Sequence, residues 1–465
     1  MVRRVWTFTA TLVAVIAVPV AAAAHPLGNF TINQYLGVVV GEESVTLDYV
    51  VDMAEIPAFQ ERRIIDANGD ESISAEEEGD YLAAVCQDRA GGLAVVTDGS
   101  PMTLEVSQRG IEFPPGQAGL TTLRLECAYV AHGPGRRVEL TNSNYADRIG
   151  WREIVVRGDG VVISTDLPGA SISNRLTAYP LDPSTSTPDL RRGDLIIGAA
   201  GVVMASPSPA TTPARLPVDM LGSLIGRAGT GFGSAALALL AAAALGAGHA
   251  LAPGHGKTIM AAYLVGNRGT IRQALGLGLA VAVSHTVGVL ALGLATLFLS
   301  RSFQPETIYP YLSAASGAIV LAIGVALVVR VVRRLRHNHA HRDGHDHHHD
   351  HQDLPASFGW KTLAALGMSG GLVPSASAVV LLLGAVSIGQ VEFGLALIGA
   401  FGVGMAVAMV TVGLGLVLAT RFGQRRFGEG VVWRRLSIAL PAVMAMVVTG
   451  VGAVLLISAG ETLLR

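Results

Sequence analysis

Two cysteines, two lysines and a charged fraction of only 15% set this 465-residue chain apart before any motif is found. Both cysteines, Cys86 and Cys127, precede the apolar part of the chain, so no thiolate is available there for a soft ion such as Cu(I). Aspartate and glutamate are missing from the cores of six long apolar segments, with Glu392 only at an edge, which argues against an oxygen-only cage for calcium or magnesium in them. The formal net charge is −2, so there is no basic field to attract nucleic acid. No nucleophile–base pair or closed catalytic metal set stands out, which makes an enzyme the least supported class.

What is abundant is apolar: 51% of residues are hydrophobic and the mean hydropathy is +0.49. Such a composition predicts several membrane spans in a lipid bilayer. They are expected near 231–252, 273–299, 309–329, 362–388, 393–420 and 437–459. Basic residues orient them. Arg268 and Arg272 lie in the first loop, Arg330, Arg333, Arg334, Arg336, Arg342 and Lys361 in the third, and Arg421, Arg425, Arg426, Arg434 and Arg435 in the fifth. The opposite loops carry Arg301 alone, so the odd loops are expected to be cytoplasmic.

The region before the spans reads differently. Arg3 and Arg4, the apolar run 12–20 and Ala22-Ala23-Ala24 predict a secretory signal over residues 1–24, with a short signal anchor as the alternative. Residues 25–201 are expected to form an exported, β-rich domain, from runs such as Tyr35–Val40, Val45–Val50, Thr121–Leu125, Arg137–Leu140 and Glu153–Val156. Both cysteines lie in it, and an oxidising compartment permits a Cys86–Cys127 disulfide. An insertion over about 55–90 holds an EF-hand-like loop for structural calcium: Asp66, Asn68, Asp70, Ser74 and Glu77 at ligand positions, and Ser72 through its carbonyl. Glu71 stands where that loop wants glycine, and Ser74-x-x-Glu77 is equally a helix capping box. A stiff, solvated linker over 202–222 joins this domain to the spans (223–465).

The chemistry concentrates in His249-Ala-Leu-Ala-Pro253-Gly-His255-Gly-Lys257, at the end of the first apolar segment. Polar groups are costly in hydrocarbon and usually face a cavity or an ion path, and a proline there frees carbonyls that need partners. A histidine pair at the water interface is the competing reading. A phosphate-binding loop is rejected, because Leu251 occupies the position of its first glycine. His285, beside Ser284 in the second segment, can complete an imidazole set suited to nickel, cobalt, zinc or copper(II). The alternative for His285 is one interhelical hydrogen bond. Lys257 is expected to act as counter-charge or gate, since an ammonium repels a cation. The stretch around Pro253 is echoed by Ser369-Gly-Gly-Leu-Val-Pro374-Ser375 in the fourth segment, as a 3+3 inverted repeat would give, although chance recurrence explains it equally well.

The loop over about 330–359 holds His337, His339, His341, His345, His347, His348, His349 and His351, with Asp343, Asp346 and Asp350 among them, a composition that cannot pack but can capture metal. His25 could chelate metal through its imidazole and a new α-amine, but plain surface exposure is the preferred reading. The 249–257 motif, the apolar residues 258–265 and the histidine-rich loop resemble the NicO family of nickel/cobalt efflux permeases. The resemblance covers the chain from about residue 231. It implies export of nickel or cobalt as transported substrate through a multi-pass plasma-membrane protein, with proton coupling compatible with imidazole ligands. The resemblance also implies His249, His255 and His285 as candidate path residues. Uptake by a permease with similar ligands, and a non-transporting metal sensor, stay open as alternatives.

Overall fold

The computed structural model describes residues 29–180, 187–198, 232–251, 270–298, 305–340, 360–427 and 431–464. The expected signal (1–24), His25, the linker (202–222), Pro253, His255, Lys257 and the histidines from His341 to His351 lie outside them. The chain divides into two compact units, within residues 22–226 and 227–465.

The first unit is built from two five-stranded sheets. One has the order β5 (Glu105–Glu112), β6 (Leu123–His132), β2 (Ser44–Met53), β1 (Ile32–Val40), β8 (Arg152–Gly158), with β1 and β8 parallel and the other pairs antiparallel. The other has the order β4 (Ser100–Pro101), β3 (Leu93–Thr97), β7 (Arg137–Asn142), β10 (Arg192–Ile197), β9 (Ile163–Thr165). Alternation decides what each face buries. Ile32, Leu36, Val38 and Val40 of β1 and Val45, Leu47, Tyr49 and Val51 of β2 meet Val138, Leu140 and Leu195 of the other sheet in one core. The opposite face of the first sheet, with Tyr35, Val50 and Val155, packs against Trp151 and Leu176. β1 is therefore buried almost throughout, which explains its nearly unbroken apolar run.

Two helices, α1 (Glu55–Ile65) and α2 (Ala75–Gly91), follow β2. Cys86 of α2 and Cys127 of β6 form a disulfide with Cα atoms 5.6 Å apart, and the Tyr129 hydroxyl donates to the Cys86 carbonyl at 2.8 Å. Helix and sheet are thus tied at one point by a covalent bond and a hydrogen bond.

The second unit is helical: α3 (Phe232–Leu251), α4 (Ile271–Phe298), α5 (Pro305–Ala340), α6 (Trp360–Gly371), α7 (Ala376–Val386), α8 (Val391–Phe427) and α9 (Val431–Leu464). Five of these are long and apolar enough to cross a membrane. The fourth expected span differs from a plain helix: it is two pieces, α6 and α7, set at 66° across residues 372–375. Pro374 explains the break, since it has no amide for the helical ladder and disfavours helical dihedrals in Val373. A second difference concerns the histidine-rich loop. α5 runs on to Ala340, so residues 330–340, including His337 and His339, continue the third span as helix.

The packed pairs repeat. α5 packs on α9 and α4 on α8, while the contact of α3 with α8 has its counterpart in α4 with α6. Exchanging the first three spans with the last three carries this set onto itself. Glycines permit both close approaches. A methyl on Gly246 would run into the Phe401 main chain, and one on Gly367 into Ala280. Each glycine stands seven residues before a proline, Pro253 or Pro374, so the register repeats with the packing.

Candidate metal centre

His249 sits in the last turn of α3, His285 in the middle of α4 and Phe401 in α8. Gly246, one turn before His249, and Gly404, three residues after Phe401, bring α3 and α8 so close that a side-chain carbon at either would strike the facing main chain. Gly402 likewise leaves room for Thr286 of α4. These missing side chains set three rings in a triangle. The centroids of His249 and His285 are 5.3 Å apart, those of His249 and Phe401 5.8 Å, and those of His285 and Phe401 6.3 Å. Two imidazoles sharing one ion through metal–nitrogen bonds of about 2.0–2.1 Å stand with centroids about 5 Å apart. The histidine pair is at that spacing. His285 is buried and His249 half-buried.

The break in the fourth span comes to His285 from the other side. Nε2 of His285 lies 3.2 Å from the Ser375 hydroxyl, and the Ser375 main-chain N–H donates to it at 3.3 Å. A broken helix exposes carbonyls that lipid cannot satisfy, and each must find a donor. The Ser284 hydroxyl lies 3.3 Å from both the Gly367 and the Met368 carbonyls, Ser316 donates to that of Ser369 at 2.8 Å, and Tyr309 to that of Pro374 at 3.0 Å. Ser284 and Pro374 therefore both belong to the break, Ser284 through its contacts to the carbonyls that precede it. Gly371 fits against Ser284 and the main chain of His285, with no space for a methyl.

His249 and His285, thirty-six residues apart in sequence, are thus brought together. Ser375, Tyr309, Ser316 and Phe401 were not anticipated. Ser375 had a signal, as the polar residue after the proline of the echoed motif; Phe401 had none, being one aromatic in a long apolar helix. His255 and Lys257 lie outside the described residues, as do the loop histidines from His341, and the side chains of His337 and His339 are not described. Among the described residues no group of three or more His, Cys, Asp or Glu is arranged to hold an ion.

The acidic loop between α1 and α2 spends its acceptors on main-chain amides. Asp66 accepts from Gly69, Asp70 and Glu71, Asn68 from Asp70, and Asp70 from Ser72. Glu77 accepts from Ala67, Asn68 and Ser74, and Ser74 with Glu77 completes the capping box of α2. Amides from Ser74 and from the loop hold the Glu77 carboxyl below its usual range. Glu71 adopts a left-handed backbone at φ 68°, the conformation for which the sixth loop position prefers glycine. The calcium expectation gains no support from this arrangement.

Comparisons with known proteins bear on the helical unit. A family model described as "NicO: High-affinity nickel-transport protein" matches residues 235–363. The nickel/cobalt efflux system RcnA of Escherichia coli K12 is 30% identical over 218 residues, 39% of this chain and 79% of that protein. RcnA of Citrobacter koseri is 45% identical over 78 residues, 17% of this chain and 27% of that protein. A Methanocaldococcus jannaschii protein with a nickel/cobalt efflux designation is 28% identical over 208 residues, 45% of this chain and 86% of that protein. No solved structure matches. With paired imidazoles at a broken helix and this extent of similarity, the chain belongs to the NicO family.

Proposed function

We propose that this chain moves nickel and cobalt ions across the plasma membrane in the outward direction, using His249 and His285 as ligands on the path. The observation that carries the proposal is the pair of imidazoles 5.3 Å apart beside a 66° break in an apolar span. Neutral imidazole suits nickel and cobalt, and no carboxylate or thiolate is among the buried groups described in helices α3 to α9. The efflux names of the relatives support the direction. His255 is assigned as a third ligand, Lys257 as counter-charge, and the histidines of the central loop as capture sites on the cytoplasmic side.

The arginine-rich odd loops support an extracytoplasmic position for the sandwich domain. The Cys86–Cys127 disulfide supports that side, because such bonds persist in oxidising compartments. Structural calcium is not needed to close the 66–77 loop, whose amides and carboxylates already satisfy one another.

The test is flux of nickel and of cobalt into liposomes containing the purified full-length protein, with and without an imposed pH gradient. It is paired with metal content in cells lacking the gene. Efflux predicts accumulation and metal sensitivity in the deletion strain; metal starvation there would assign uptake instead. Vesicles that move neither ion would overturn transport.

A further inference from the structure

Ser375 occupies the N-cap of α7 with extended dihedrals (φ −82°, ψ 134°), yet its hydroxyl makes no capping bond to that helix. A serine at this position ordinarily turns its oxygen to an amide two or three residues on. Here the hydroxyl goes to Nε2 of His285, and the main-chain N–H of the same serine is directed at the same nitrogen. The cap has been given up for a contact with a ring on another helix. The surroundings hold that contact in place: Tyr309 anchors the Pro374 carbonyl, and Gly371 and Gly288 let the break lie directly on α4.

An N–H has no lone pair, so its contact requires Nε2 to accept, which leaves the ring neutral with its proton on Nδ1. A hydroxyl can either donate or accept. We propose that Ser375 selects the tautomer of His285. Its N–H favours the Nδ1–H form of the metal-free ring, and its hydroxyl accepts from Nε2–H when Nδ1 holds nickel or cobalt. Between the two forms the Nδ1 proton passes to water and Nε2 takes one from water, so the ring stays neutral and no net proton is consumed. A ligating histidine is generally oriented by what its second nitrogen bonds. Ser375 is therefore a positioning residue acting through His285, contributed by the half of the helical unit that does not supply the histidines. The identity of the ion rests on the transport reading; the serine–histidine contact does not.

The experiment uses full-length protein in lipid with nitrogen-15 histidine, the His285 signals being assigned by subtracting a His285→Gln spectrum. Metal-free wild type is expected to show a neutral His285 protonated at Nδ1. Ser375→Ala, which keeps the N–H and removes the hydroxyl, is expected to shift the Nε2 signal. It should also raise the KM for nickel and cobalt about tenfold, with maximal flux nearly unchanged. Ser375→Thr should restore both. A wild-type ring protonated at Nε2, an alanine variant with unchanged signals and KM, or a threonine variant as impaired as alanine would each overturn the assignment. If wild-type vesicles move neither ion, transport fails as a reading, while the nitrogen spectrum still decides whether Ser375 sets the tautomer.

Discussion

Buried polar side chains in the sandwich domain are many and spread through its layers, whereas among the described residues of the helical unit they are few and mostly gather along one seam. In the sandwich, Asn33 accepts from the Trp151 amide and donates to Tyr179, and buried Glu153 accepts from the Trp151 indole, the Ile172 amide and the Ser173 hydroxyl. Buried Glu55 accepts from Asn29 and from the Gln117 amide. These groups close loops over a β core, and each answers a local demand for a partner. In the helical unit the buried polar residues among those described are His285, Thr296, Ser316 and Ser369. Thr296 bonds back to its own helix, and the other three all touch the 366–375 region. Polar groups in the sandwich hold a fold together. Those of the spans converge on one break, which is what a site at membrane depth requires.

The largest effect should follow from exchanging histidines across that divide. His249→Ala and His285→Ala are each expected to lower nickel and cobalt flux by at least about a hundredfold, since a lost ligand costs more than the 10- to 100-fold of a lost outer-shell partner. His132→Ala, on an exposed residue at the end of β6, should leave flux unchanged. Equal losses at His132 and His249 would erase the distinction between the two regions.

Removing the disulfide tests the opposite side of the contrast. Cys86 and Cys127 are 41 residues apart in sequence and fully buried, so Cys86→Ser with Cys127→Ser is expected to destabilise the sandwich by about 2–5 kcal/mol. Protease resistance of that domain should fall, while metal affinity at the paired histidines persists. Loss of both together would mean that the units are not independent.

The strands around Tyr35–Val40 and Val45–Val50 were legible because period-2 alternation and β-branched runs leave few other structures open. β5 and β10 were not, since β5 lies at a sheet edge with mostly exposed or half-buried residues and carries no apolar alternation. The spans were legible from composition. The bend in the fourth was legible only as Pro374, because its angle depends on which hydroxyls reach the freed carbonyls. Those donors, Ser284, Ser316 and Tyr309, come from helices 53 to 84 residues away in sequence. The His249–His285 pair could be suspected from residue type. Its spacing could not, because the glycines at 246 and 404 that set it look like ordinary small residues in an alanine-rich helix.

A milder change sharpens the same seam. Tyr309→Phe removes the donor to the Pro374 carbonyl and leaves the ring in place. It should cost about 1–3 kcal/mol of local stability, because a carbonyl of the buried Pro374 is left without this partner. Faster hydrogen exchange in the first turn of α7, with no change in the sandwich, is the expected signature. Unchanged exchange there would mean that the bend is held by packing alone.

The smallest effect is expected in the acidic loop, where the sandwich resembles the spans in using hydrogen bonds to shape a turn. Amides of Ser74, Asn68 and Ala67 and the Ser74 hydroxyl hold the Glu77 carboxyl below its usual range, with the Ser74 amide the largest influence. A carboxyl lowered on folding stabilises the fold above its unfolded value, near 4.5, and that contribution is lost as the pH falls through the lower folded value. The residue is only half-buried and its partners are all local, so the effect is confined to the loop and the first turn of α2. Protection of the Ala67–Ser74 amides, corrected for intrinsic rates, should therefore decline below about pH 4.5 in wild type. In Glu77→Gln it should be weaker at neutral pH and show less of that decline, since the amide accepts with one oxygen and no charge. If millimolar calcium raised the same protection at neutral pH in wild type but not in Glu77→Gln, the loop would be an ion site, and its likeness to a simple helix cap would fail.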